Sequence, residues 1–154
     1  LDGESEHLFA PTQAATRVLL AQALYRMAGS PRSSSRELLD VDPGEDSYPA
    51  VCWAMDAGLF TPADTFGPDQ AVNRQMLSAV LCRWYTEYLG REIMTLQGLG
   101  SFSDGLLTAA YAKTSLGWAL SAGVMEPVDG KLRPLSNVSR GDLAKSLYAL
   151  MSVA

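Results

Sequence analysis

The chain has 154 residues, 47% of them hydrophobic and 19% charged, with a net charge of −5. That is the composition of one globular domain with a core of its own, and its acidic balance excludes a protein that holds nucleic acid by bulk electrostatics. The single histidine, His7, leaves almost no material for a Cys/His zinc site or a histidine triad, and no apolar run approaches the roughly 18 residues a membrane span needs.

One pattern is written three times. It opens at Phe9-Ala-Pro11 and continues through Thr16-Arg17 into Leu20 and Leu24. It returns as Phe66-Gly-Pro68, Asn73-Arg74, Leu77 and Leu81, and again as Leu132-Arg-Pro134, Ser139-Arg140, Leu143 and Leu147. Each copy places an apolar residue two before a proline, an arginine six after it, and leucines three and seven beyond the arginine. Thr, Asn and Ser before the arginines are strong helix N-caps, and leucines at that spacing fall on one helical face. A repeat of this kind sets the architecture.

Taken in order, residues 1–8 form a turn-rich lead-in, with Asp2-Gly3 as a turn dipeptide. The chain starts at Leu1 without an initiator methionine or signal peptide, so it is expected to be processed, trimmed or a fragment. Thr16 caps a helix reaching about Ala28, with Leu20, Leu24 and Met27 on one face and Gly29 as its stop. Residues 30–35, with Pro31 and three consecutive serines, read as a flexible connector. Val41-Asp42 then enters a second unit.

Ser47 to Leu59 reads as a short helix with a serine cap, an early proline and a glycine stop. Ser115 to Val124 is its counterpart, with Trp, Ala, Ala and Gly at the same offsets: Trp53 with Trp118, Gly58 with Gly123. The second arginine-led helix runs from Arg74 to about Leu89, turning Leu77, Leu81, Trp84 and Tyr85 inward. After a connector, Phe102-Ser-Asp104 opens the third unit as Val41-Asp42 opened the second, and residues 107–114 add a helical turn or loop. Ser139 to Asp142 is a capping box for the last helix, which buries Leu143, Leu147, Leu150 and Met151. The fold expected is all-α: repeated helix–loop–helix units around a shared helical core. Cys52 and Cys82 lie in apolar helical contexts and read as buried thiols rather than a disulfide.

The order Phe-x-Asp, Trp-Ala, Ala-Gly-apolar, Phe-x-Pro and Thr-Arg opening a helix resembles the S-layer homology domain. The resemblance covers nearly all of residues 1–154 as a single domain: a half motif at 1–29, full motifs at 36–90 and 98–154, and connectors at 30–35 and 91–97. It implies a pseudo-threefold, non-catalytic module on the bacterial cell surface, outside the cell. Such a module anchors its protein to a secondary cell-wall polysaccharide, often a pyruvylated one, through grooves between motifs. Carried over by position, the ligand-binding residues are Arg17, Arg74, Arg140, Asp42, Asp104, Trp53, Trp118, Gly58 and Gly123. No metal or cofactor is implied, and neither nucleic acid nor membrane insertion.

The residues depart from the family's Thr-Arg-Ala-Glu segment, reading Thr-Arg-Val-Leu, Asn-Arg-Gln-Met and Ser-Arg-Gly-Asp, with an acid at the fourth place in Asp142 alone. The first motif lacks its Trp-bearing half, so fewer than three complete grooves are expected. Chemically, an arginine at a helix N-terminus suits a carboxylate: free N–H groups and the helix dipole favour an anion, and guanidinium adds a planar fork. The same arginine pairs equally well with a loop aspartate to fix packing, and a mid-helix tryptophan serves a core as readily as a sugar ring. Two functions stand against each other: a glycan-binding anchor, and an interaction or assembly module that keeps the fold without the glycan site. The second is covered by self-association or by the remainder of a parent chain completing the first motif. An enzyme has no support beyond acidic residues at capping positions.

Overall fold

The structure is a computed structural model that describes residues 10–93 and 98–154. The lead-in 1–8, the repeat residue Phe9 and part of the 91–97 connector therefore lie outside or partly outside the described residues. Five α-helices carry the fold: α1 Arg17–Met27, α2 Tyr48–Asp56, α3 Arg74–Arg83, α4 Lys113–Ser121 and α5 Arg140–Val153. No strand occurs among the described residues, and the protein is all-α. Nor is any described helix long and apolar enough to cross a membrane.

The three arginine-led helices start where the caps predict. Thr16, Asn73 and Ser139 each accept a hydrogen bond from the backbone N–H three residues on, which satisfies one of the free donors of a helix start. The leucines three and seven after each arginine, from Leu20 and Leu24 to Leu143 and Leu147, are all buried in one core. Met151 is the exception: it lies past the core and is 55% exposed.

Just ahead of these helices the chain closes on itself. Val72 N–H donates to the Ala15 carbonyl (2.9 Å), Val138 N–H to Val72 (2.8 Å) and Ala15 N–H to Val138 (2.8 Å). The first N–H groups of each helix join in, Arg17 donating to Gln70, Arg74 to Ser136 and Arg140 to Gln13. Three segments distant in sequence thus complete one another's backbone hydrogen bonding in a cycle.

α2 and α4 close on glycines as expected. Gly58 (φ +78°) and Gly123 (φ +74°) sit in the left-handed region, and Leu59 and Val124 donate back five residues to Ala54 and Ala119 before burying their side chains. Their starts differ from expectation. Ser47 has helical backbone and makes no side-chain cap, while Ser115 lies inside α4, bonded to the Ala112 carbonyl and to Ser78 Oγ at 3.1 Å. Two 3₁₀ turns, Gly105–Leu107 and Ala110–Ala112, feed α4 and account for the longer leg.

The second arginine-led helix is α-helical only to Arg83 and widens into a π turn over Trp84–Tyr88. There Leu89 N–H donates to Trp84, and the Thr86 hydroxyl competes for the Cys82 carbonyl. The 30–35 connector is held rather than flexible: Ser34 and Arg36 both bond Asp56, and the Tyr25 hydroxyl donates to Pro31.

Candidate functional site

Two of the three arginines share one construction. Arg17 Nε donates to the Phe66 carbonyl at 2.7 Å and Arg74 Nε to the Leu132 carbonyl at 2.8 Å. On its other side, each of these apolar residues is held by a carboxylate. Asp40 accepts from the N–H groups of Phe66 (2.8 Å) and Gly67 (2.7 Å), and Asp104 from those of Leu132 (2.9 Å) and Arg133 (2.8 Å). The apolar-x-Pro corner is therefore gripped between a cation on its carbonyl and an anion on its amides.

That arrangement corrects the register of the second unit. The counterpart of Asp104 is Asp40, not Asp42. Asp42 is exposed and closes its own turn, donating its N–H to Glu45 Oε1 at 3.1 Å. Leu38-x-Asp40 repeats the apolar-x-Asp spacing of Phe102-x-Asp104, whereas Val41-Asp42 omits the middle residue, so spacing alone carried the signal.

The charges follow from these contacts. Burial works against the Asp40 carboxylate, but the Phe66 and Gly67 amides and the Arg17 charge outweigh it and hold its pKa below the usual range. For Asp104 the Leu132 amide leads the same downward shift. Burial lowers the pKa of both Arg17 and Arg74, opposed by Asp40 in the first case and by Asp142 and Asp104 in the second. A guanidinium starts so far above neutrality that both remain charged.

The other predicted residues sit in different settings. Trp53 and Trp118 are core side chains, 5% and 3% exposed. Trp53 is ringed by Tyr25, Trp84 and Tyr88, and Trp118 lies 5.1 Å from Tyr85, so neither offers a ring face to a sugar. Arg140 is buried. A Cβ at Gly58 would stand 2.7 Å from Glu87 Oε2, while Gly123 has open space beside it.

Two grooves open where an arginine of one unit meets the next. The first, about 400 Å³, is lined by Arg17, Phe60 and the α3 residues Met76, Ala79, Val80 and Arg83. The second, about 280 Å³, is lined by Arg74, the 123–128 loop and the α5 residues Asp142, Lys145, Ser146 and Ala149. The α3 and α5 residues stand at the same places, two, five, six and nine after the opening arginine. The grooves are thus equivalent in construction but differ in chemistry: Met, Ala, Val and Arg in one, Asp, Lys, Ser and Ala in the other.

The arginines differ accordingly. Arg17 lies 5.0 and 5.1 Å over the rings of Phe60 and Phe66, and its Nη1 approaches Met76 Sδ at 3.8 Å. Arg74 has no such cover: its Nη2 donates to the Glu126 carbonyl at 2.6 Å. Its groove combines two cations, two acids and a hydroxyl in Arg74, Lys145, Asp142, Glu126 and Ser146, a set suited to a ligand that offers both a carboxylate and hydroxyls. Of its lining residues, Arg74 and Gly123 were among the expected ligand residues; Asp142 was read only as a helix cap, and Lys145 was not singled out because its place depends on α5 facing the 123–128 loop. Among the described residues no group of three His, Cys, Asp or Glu side chains stands close enough to hold a metal.

Compared with known families, residues 101–144 match the S-layer homology domain. No curated protein matches the chain.

Proposed function

Because residues 101–144 match the S-layer homology domain, a family of non-catalytic modules that attach proteins to cell-wall polymers at the cell surface, we propose that this chain is an extracellular cell-wall anchor. It holds a secondary wall polysaccharide, in pyruvylated form, in the groove beside Arg74. Repeated units (a half unit at 1–29, full units at 36–90 and 98–154) surround the core in a pseudo-threefold arrangement, a reading supported by the backbone cycle through Ala15, Val72 and Val138. The chain performs no catalysis in this role.

The observation that carries the proposal is the pairing of Arg74 with Lys145 in one polar groove. A pyruvate ketal presents a single carboxylate on a sugar ring, and two cations from different elements fix its position better than either alone. Asp142, Ser146 and the backbone at Gly123 then receive sugar hydroxyls. Arg17, Arg140, Asp40, Asp104, Trp53 and Trp118 act as framework, holding the corners and the core that shape the groove.

Calorimetry against a pyruvylated N-acetylmannosamine glycoside, with the pyruvate-free sugar as control, tests this reading. Lys145 is exposed, so Lys145→Ala leaves the fold intact and is expected to weaken binding roughly tenfold or more, as loss of one charge-assisted contact does. Equal binding of both sugars, or full binding by the variant, sinks the proposal. The Arg17 groove favours a second reading, an assembly module without glycan affinity, because its arginine lies over the Phe60 and Phe66 rings and Met76, Ala79 and Val80 replace the acid, lysine and serine of the other groove. Binding of neither sugar moves the weight there.

A further inference from the structure

The first residues of α2 and α4 occupy the same place in their units and differ in kind. Tyr48 opens α2 and Lys113 opens α4, each five before its tryptophan. Arg36 and Gly100 likewise stand four before the corner aspartates Asp40 and Asp104. In the second unit these two positions are joined. The half-buried Tyr48 donates its hydroxyl to the Arg36 carbonyl at 2.7 Å and accepts from the Arg36 N–H at 3.0 Å. Asp56, at the end of α2, adds its bonds to Ser34 and Arg36, so the incoming connector is strapped to the helix twice.

The third unit has the residues for neither strap. Lys113 carries no ring, Ser121 stands in the place of Asp56, and Gly98 and Gly100 stand in those of Ser34 and Arg36. A cavity of about 620 Å³ opens there, lined by Leu99, Gly100, Phe102, Leu106, Lys113 and Thr114 among others. That is the size of a small-molecule site. One of its walls is set by close approach: a Cβ on Gly105 would overlap the Leu99 carbonyl oxygen, so this turn requires a glycine where the second unit buries Val41.

The lining selects a ligand. Leu99, Phe102 and Leu106 offer apolar surface, Leu106 being 95% exposed, to a ring of the kind that Tyr48 supplies from within the second unit. Lys113 is the only charged side chain among the described residues that line the cavity, which favours an anion over a cation. We infer that this cavity binds a small hydroxylated aromatic carboxylate. Its ring lies on Leu99, Phe102 and Leu106, its carboxylate meets Lys113, and its hydroxyl faces the 98–100 backbone as the Tyr48 hydroxyl faces Arg36. The cavity shares no lining residue with the Arg74 groove, and the inference is independent of glycan binding.

The test titrates 4-hydroxyphenylacetate into the full chain by calorimetry, with tyramine and 4-ethylphenol as cationic and neutral counterparts of the same ring. The acid is expected to bind with a Kd of about 1 mM or tighter and to move the amide NMR signals of Gly98, Gly100, Gly105 and Thr114. Both other probes should bind at least about tenfold more weakly, as loss of a charge-assisted contact implies. Lys113 is exposed, so its variants leave the fold intact. Lys113→Gln should remove the preference for the acid. Lys113→Tyr, which supplies the ring itself, should abolish binding of all three probes and raise Tm by about 2–4 °C. No binding of the acid overturns the inference, as does a preference for it that survives Lys113→Gln, or binding that leaves the glycine signals unmoved or persists in Lys113→Tyr. Equal binding of the acid and 4-ethylphenol overturns it too, and would hand the cavity to neutral phenols such as a tyrosine of another protein.

Discussion

Asp40→Ala against Asp42→Ala separates a carboxylate that holds the fold from one that does not. Asp40 takes the amides of Phe66 and Gly67, and Phe66 is itself only 2% exposed, so removing the carboxylate strips two donors of a short, charge-assisted partner. A bond to a charged group contributes about 1.5–3 kcal/mol where shielded, but the Asp40 side chain is open to water, which re-solvates part of what is lost. About 1–2 kcal/mol remains, similar to the loss of a helix cap. At this chain length that lowers Tm by about 2–8 °C. Asp42 closes an exposed turn, and its replacement should stay within about 0.5 kcal/mol. Thermal melts of both variants by circular dichroism at neutral pH decide it. A larger loss in Asp42→Ala would refute the assignment of Asp40 as the counterpart of Asp104, and with it the gripped corner.

Three further outcomes follow from the same geometry. Asp40 and Asp104 hold their pKa values below the ordinary 3.8, so they bind protons less readily folded than unfolded; their stabilisation is complete above that value and is lost as pH falls through the lower folded values, and a double Asp→Asn variant should lose less Tm on acidification than the parent. Gly58→Ala and Gly123→Ala each force a side chain into the left-handed region and should cost about 1–2 kcal/mol in urea titrations, with Gly58→Ala also having to displace the Glu87 carboxylate. Cys52 and Cys82 are buried thiols, and burial raises the Cys82 pKa despite the nearby Arg83; both should react with a thiol reagent at least about tenfold faster in denaturant than in the native protein.

Much of this fold can be read from local chemistry. A cap, an arginine and leucines at fixed spacing locate three helices because each signal lies within a few residues of what it controls, and Thr16, Asn73 and Ser139 all bond as their types predict. Where the controlling partner is remote, local reading falters. Ser47 resembles a cap but has helical backbone, and Met151 falls on the apolar stripe of α5 yet lies past the core. Trp84–Tyr88 continues the pattern of α3 but forms a π turn, within which the Thr86 hydroxyl bonds the Cys82 carbonyl. The candidate site is remote in every part. Arg74 stands out in sequence, but its cofacing Lys145 and its carbonyl partners at Leu132 and Glu126 are brought there only by the fold. The difference between the two grooves was nonetheless written at matching positions, from Met76 and Asp142 to Ala79 and Lys145.

The backbone cycle through Ala15, Val72 and Val138 also governs how the protein must fold. Every one of its links joins residues more than fifty positions apart, so loop closure opposes the cycle until core burial rewards it. A chain emerging from its N-terminus can form α1 and α2 early, but the Val138 carbonyl that Ala15 needs is made only 123 residues later. Removing the segment from Val138 onward takes away two of the three links as well as α5, so the truncated chain should melt without a sharp transition. The cycle closes only once all three of its segments are present.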